Sequence, residues 1–145
     1  LQDPGNLGTM LRAGEGAGLS AILANRGTVD IYNPKVIRAT MGSIFRVPVV
    51  YADDWLAALR ELSANHVSLY AAALQASVPY DSIDYPEKTA FLIGNEAAGL
   101  TAETIAMANQ SIHIPMLGQV ESLNAAVAAS VLLYERARQR RRGTR

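Results

Sequence analysis

The 145-residue chain contains no cysteine. That absence excludes a disulfide framework, a thiolate zinc centre and a cysteine nucleophile together, and it fits a reducing compartment. Net charge is missing too. Thirteen basic residues balance thirteen acidic ones, so the chain lacks the overall basicity that usually marks a nucleic-acid-binding domain. No apolar run reaches the ~18 residues that span a bilayer, and no basic-then-apolar signal segment opens the chain. A cytoplasmic protein is the expectation. No P-loop lysine motif and no His-Glu-x-x-His motif is present.

What is present is an ordinary globular composition, 50% apolar and 18% charged, at a length that suits one domain over residues 1–145. Such a domain buries roughly 70% of its unfolded surface and needs no metal or covalent staple. The charges are unevenly placed: six of the thirteen basic residues (Arg136, Arg138, Arg140, Arg141, Arg142 and Arg145) fall in the last ten positions. The default reading is a solvated helix end, where cations favour the macrodipole. Leu1 is not methionine, and Leu1–Pro4 reads as the tail of a strand whose body is missing, so the expectation is a processed chain or a fragment of something longer.

Short β-like runs alternate with helix-period stretches, the pattern of a layered α/β domain. Helices are expected over Asn6–Ala17, from Pro34 to Gly42 after an Asn33 cap, from Asp53 with Trp55, Leu56, Leu59 and Leu62 inward, near Thr101–Met107, and from Ser122 to about Gln139. Strands are expected at Ser20–Leu23, Pro48–Tyr51, Val67–Leu74, Thr89–Ile93 and Ser111–Ile114. Five strands separated by helices imply a mostly parallel sheet with helices on both faces.

The stretch Gly14-Glu15-Gly16-Ala17-Gly18 follows a helix rather than a strand, so it is not the dinucleotide fingerprint; it reads as a left-handed helix C-cap. Three other segments carry chemistry. In the first, Asn6 is a plausible N-cap, and Arg12, six residues on, lies about 9 Å further along the axis and about 120° around it. In the second, the strand Phe91-Leu92-Ile93 ends in Gly94-Asn95-Glu96-Ala97-Ala98-Gly99-Leu100, where ligands of open α/β sheets gather. In the third, Ile112-His113-Ile114-Pro115-Met116 leads through Gly118 to Ser122-Leu123-Asn124 and a long helix. Ser122 reads as its N-cap, Asn124 lies in its first turn, and His113 reads as structural.

In this order and spacing the three segments resemble the motifs of the SpoU (TrmH) family of RNA ribose 2'-O-methyltransferases, within the knotted SPOUT superfamily. The family wording is Asn-x-Gly-x-x-x-Arg, then Gly-Asn-Glu-Gly-x-Gly-Leu, then Ile-Pro-Met with Ser-Leu-Asn. Ala97 stands where the family usually has glycine, and set against the family the expectation is that the first strand and the N-terminal RNA-recognition domain carried by many relatives are absent from residues 1–145. The resemblance covers Asp3 to about Arg138. It implies an α/β fold with a C-terminal deep trefoil knot, a homodimer, and S-adenosylmethionine held by Gly94, Ile114, Met116 and Leu123, with the segment after Val67–Tyr70 contributing. The implied polar set is Asn6, Arg12, Glu96, Ser122 and Asn124, with no metal.

A guanidinium essentially never loses its proton. Arg12 is therefore expected to grip the phosphate next to the target ribose. Asn6, Ser122 and Asn124 would orient the hydroxyl, and Glu96 would hold Arg12 or the motif loops. The expected substrate is structured RNA, ribosomal ahead of transfer RNA. The alternatives are a non-catalytic RNA-binding or ribosome-associated module of this fold, and a base-methylating knotted relative.

Arg12→Ala is expected to abolish methyl transfer while S-adenosylmethionine still binds. Normal turnover of this variant on its RNA would refute the assignment.

Overall fold

The computed structural model describes residues 1–143. Helix α1 (Pro4–Gly16) is capped by Asp3, whose side chain accepts from the Asn6 N–H, and Pro4 sits in the first turn. Proline loses nothing there because its missing N–H would have had no intrahelical partner. This corrects two expectations. Asn6 is inside the helix rather than its cap, and Pro4 belongs to the helix rather than to a strand tail. The Leu1 carbonyl instead accepts from the Val29 N–H at 2.8 Å. The C-terminus of α1 closes as expected, with Gly18 at φ 82° and the Leu19 N–H bonded to the Gly14 carbonyl at 2.8 Å.

Strand β1 (Ile22–Asn25) pairs in parallel with β2 (Val49–Ala52), Ile22 opposite Val49. It begins two residues later than local pattern suggests, because Leu19 is taken up against Gly14 at the end of α1. Between them lie α2 (Pro34–Thr40), capped by Asn33, and a 3-10 turn at Ser43–Phe45. Helix α3 (Trp55–Ala64) is capped by Asp54. It leads to β3 (Ser68–Ala72), β4 (Val78–Pro79), β5 (Thr89–Leu92), α4 (Ala102–Met107), β6 (Gln110–His113) and α5 (Ala125–Gly143).

The second group of strands runs β4-β6-β3-β5, and every pair is parallel. Among the described residues, six strands in two parallel sheets, β1-β2 and β4-β6-β3-β5, therefore replace the five strands of one sheet that were expected. The missed one, β4, is two residues long and contains Pro79, which an edge position tolerates because its outer side needs no donor.

Alternation along β3 sends side chains to two cores. Leu69 and Ala71 join Leu59 of α3 and Leu92 of β5, with Trp55, Leu62 and Ile105 packed around them. Tyr70 points the other way, to Tyr85, Ile112 and Leu132 of α5. Helices thus cover both faces of the sheet, as expected. A third core gathers Leu7, Leu11, Ile31, Val36 and Val47, and a fourth joins Met10 of α1 to Ala126 and Ala129 of α5. Each fully buried leucine contributes about 1.5–3 kcal/mol relative to exposure.

Helices α1 and α2 cross at Gly8. A Cβ there would lie 2.4 Å from the Ala39 Cβ and 2.8 Å from the Val36 carbonyl oxygen. Gly8→Ala would gain about 1 kcal/mol of helix propensity but lose about 1–3 kcal/mol to overpacking against backbone. A net loss of stability is expected, read as a lower urea midpoint; an unchanged or higher midpoint would contradict this packing.

Candidate functional site

Parallel strands present their C-terminal ends on one side of a sheet, and the loops that leave them form the usual ligand crevice. Here the loops after β3, β5 and β6 enclose a cavity of about 550 Å³, within the range of small-molecule sites. Its walls are Ala72–Leu74 after β3, Ile93–Gly99 after β5, Ile112–Ile114 and Met116 after β6, and residues 121–125 with Ala128 and Leu132 at α5. All four residues expected to hold a cofactor, Gly94, Ile114, Met116 and Leu123, line it. So do Glu96, Ser122 and Asn124. Neither Asn6 nor Arg12 is among the lining residues.

The loop after β5 is closed by its own backbone. The Gly99 N–H donates to the Asn95 carbonyl at 2.8 Å and the Asn95 N–H returns to the Gly99 carbonyl at 3.2 Å. The Asn95 Oδ1 accepts from the N–H groups of Ala97 and Ala98. Gly94 is pressed against this closure: a Cβ on it would fall 2.4 Å from the Gly99 carbonyl carbon and 2.5 Å from the Leu100 nitrogen. Only a glycine fits. Ala97 is not among the residues with positive φ, so its methyl adds no backbone strain where the family usually has glycine.

At the opposite wall Asn124, not Ser122, caps α5. Its Oδ1 accepts from the Ala126 N–H at 2.9 Å and the Val127 N–H at 3.3 Å, and its carbonyl accepts from Ala128. Ser122 is exposed and precedes the helix. The expected helix start at Ser122 is corrected because only one residue can occupy the cap, and Asn124 is the one held against α1.

With its oxygen committed to the cap, the Asn124 amide can only donate. Its Nδ2 bonds the Asn6 Oδ1 at 3.0 Å, and the Asn6 Nδ2 then donates to the Glu96 Oε1 at 3.1 Å. The other carboxylate oxygen accepts from the Gln2 N–H at 3.3 Å. Each amide orientation is thereby determined by the network. Burial pushes the Glu96 carboxyl up, but the bonds from its own N–H, Asn6 and Gln2 outweigh that and hold it below the usual carboxylate range.

Three of the five expected polar residues, Asn6, Glu96 and Asn124, are thus joined in one relay. Arg12 is exposed, and its guanidinium makes no hydrogen bond or ion pair with any described residue. Glu96 consequently holds Asn6 rather than Arg12, which corrects one of the two roles expected for it. Sequence reasoning missed Ala128 and Leu132 as lining residues, since their helix-period spacing reads only as core. It placed His113 as structural; the ring shares a 2.7 Å bond with the Ser77 hydroxyl while also bordering the cavity.

The family model described as SpoU rRNA Methylase matches residues 1–134. The chain belongs to that family. It is 43% identical over 140 residues to the 23S rRNA (guanosine(2553)-2'-O)-methyltransferase RlmP of Bacillus subtilis, covering 92% of this chain and 54% of that protein. The SpoU methyltransferase AviRb from Streptomyces viridochromogenes, solved in complex with AdoMet, matches with a TM-score of 0.91 at 31% identity, covering 98% of this chain and 58% of that one. An AdoMet-bound rRNA methyltransferase from Sinorhizobium meliloti matches with a TM-score of 0.90 at 38% identity, covering 94% and 52%. The chain spans about half the length of the curated relatives it matches.

Removing the cap and the donor together, Asn124→Ala is expected to destabilise the protein by about 1–2 kcal/mol. Asn124→Asp keeps a capping oxygen but loses the donor to Asn6 and faces its Oδ1 with a second acceptor, so it should fall between wild type and Asn124→Ala in urea unfolding. Equal losses in the two variants would contradict the cap assignment. Because the Glu96 carboxyl is held low, its contribution is fully present above the ordinary glutamate pKa of about 4.3 and is lost as the pH falls from there through the lower folded value. Glu96→Gln should therefore flatten the acid limb of the stability curve, and an unchanged limb would exclude the relay as its source.

Proposed function

We propose that this chain is the catalytic domain, over residues 1–145, of a cytoplasmic S-adenosylmethionine-dependent enzyme that methylates a ribose 2'-hydroxyl of RNA, ribosomal rather than transfer RNA. The observation that carries the reading is the convergence of three sequence-distant segments on one cavity, with the Asn124–Asn6–Glu96 relay at its edge. The family's matched relatives named for 23S rRNA support the choice of RNA.

The cavity suits the cofactor. Apolar walls from Ala72, Ile112 and Leu132 flank backbone at Gly94, Ile114 and Leu123, an arrangement that reads an adenine edge through main-chain donors and acceptors. A side chain at position 94 would collide with the loop behind it. When bound, S-adenosylmethionine supplies an electrophilic sulfonium methyl, so no metal is needed. The chain's own part is placement, since much of the rate of such a transfer comes from holding the hydroxyl oxygen in line with the methyl.

Ser122, at the open mouth of the cavity, orients that hydroxyl. Asn6, Glu96 and Asn124 act as positioning residues: the atoms expected to hold ribose are engaged with one another, and they keep α1 beside the cavity. Arg12, whose guanidinium has no partner among the described residues, grips an RNA phosphate. A homodimer belongs to this reading, and an apolar strip on α5 fits it: Val127 and Tyr134 are exposed two turns apart, and the Tyr134 hydroxyl lies against Gly16 of α1. The deep trefoil knot implied by the resemblance is part of the same proposal.

Titration calorimetry should show S-adenosylmethionine binding to wild type and none to Gly94→Val. Nucleoside analysis of an unmodified 23S rRNA transcript after incubation with protein and cofactor should yield a single 2'-O-methylnucleoside. Absence of cofactor binding would point to a non-catalytic module, and a base-methylated product would also overturn the reading.

A further inference from the structure

Residues 32–45 hold side chains whose placement the core does not explain. From this neighbourhood Ile31, Val36 and Val47 are buried in the third core. Phe45 is nevertheless 86% exposed, Tyr32 74% and Met41 67%, and Phe45 and Tyr32 are the two most exposed aromatic side chains among the described residues. Ile37, Met41 and Phe45 recur every four residues, all exposed. Met41 also sits at φ 50°, an unfavourable backbone for a residue with a side chain. Exposed apolar area and backbone strain at one point do nothing for stability, and such combinations mark binding surfaces.

Charge says what binds. The neutral total hides a strong segregation: residues 1–46 carry five basic and three acidic side chains, residues 47–121 two and nine, and residues 122–145 six and one. Lys35 and Arg38 are exposed on α2, and their side chains have no hydrogen bond or ion pair among the described residues. The acids nearby are occupied. Asp30 accepts from the Tyr32 N–H, and Glu15 is bonded to Ser43 and Arg46.

Arg12 joins the same surface. On α1 it lies one turn past Gly8, which meets Ala39, and just short of Glu15, which meets Ser43 and Arg46. Steps of four and three residues keep these positions on one side of a helix.

Resting on the RNA-methylation reading above, we propose that Phe45 and Tyr32 are stacking platforms for unpaired bases flanking the target nucleotide, with Lys35 and Arg38 on their phosphates. Aromatic faces accept any base, and cations follow the backbone, so the surface selects single-stranded over duplex RNA without reading sequence. It runs from Arg12 outward along α2, so the strand that enters the site continues onto it.

The test is fluorescence anisotropy of a fluorescein-labelled 12-nucleotide single-stranded RNA and of its blunt duplex. Wild type should favour the single strand several-fold. Phe45→Ala should lose about tenfold for the single strand and less than twofold for the duplex, with S-adenosylmethionine affinity and circular dichroism unchanged. Replacing Lys35 and Arg38 by alanine should weaken both probes and reduce the log–log salt slope by roughly 1.4 on the single strand.

Unaltered RNA affinity in Phe45→Ala overturns the proposal. So does conversion of a wild-type dimer to monomer by the same substitution in sedimentation, which would make this face a contact between copies. Wild type that methylates RNA while Phe45→Ala behaves normally sinks only this surface; wild type that neither methylates nor binds RNA sinks the enzymatic reading with it.

Discussion

The structure turns on a single carboxamide. Asn124 accepts the first free N–H groups of α5 with its oxygen, so its nitrogen must donate outward, and the group it meets is Asn6 of α1. Asn6 can then only donate onward, to Glu96 on the loop after β5. A helix cap, which elsewhere is a local matter of one or two unsatisfied donors, here sets the orientation of a side chain 118 residues away in sequence. The three segments also meet through apolar contact, Met10 of α1 against Ala126 and Ala129 of α5 with Ile93 beside them, and the hydrogen bonds fix their relative orientation. Of the two side-chain bonds, the one from Asn6 to Glu96 is charge-assisted, and such bonds are stronger than neutral ones.

Around that relay the sheet does the coarse placement. Its four strands are parallel, so the loops after β3, β5 and β6 all emerge on one side. Small residues on two walls, Ala72 and Ala73 after β3 and Gly94 after β5, leave room for the cavity. The residues nearest its mouth, 117–124, are exposed. The inner part is apolar and the polar groups stand at the edge, which separates a ligand's buried portion from the place where a second reactant can reach it. Charge is segregated on a larger scale. The acidic middle of the chain supplies the four-stranded sheet and the helices α3 and α4, while most of the cations lie on α1, α2 and α5.

Much of the fold was legible in the residues. Alternation and period located the helices and five of the six strands to within a few residues; Asn33 caps α2 as read, and α3 starts after an Asp54 cap rather than at Asp53. What failed were terminal assignments. Asp3 followed by Pro4 is a cap signal as strong as Asn6, and it prevails because proline belongs in a first turn. Ser122 and Asn124 are equally good capping types, and nothing local distinguishes them. Strand β4 was invisible because two residues with a proline have no periodicity, and it exists only through its pairing with β6.

The sequence by itself determined the parallel α/β layering, the three motif segments and, through the resemblance they carry, the family. Only the tertiary structure decided which polar residues work together: that Glu96 holds Asn6 and not Arg12, that Asn124 is the cap, and that Phe45 and Met41 face outward. The reason is physical. Period and propensity report which face of an element is apolar, whereas a hydrogen-bond partner depends on where two elements cross, and that is settled by close contacts such as Gly8 against Ala39 that no local pattern records.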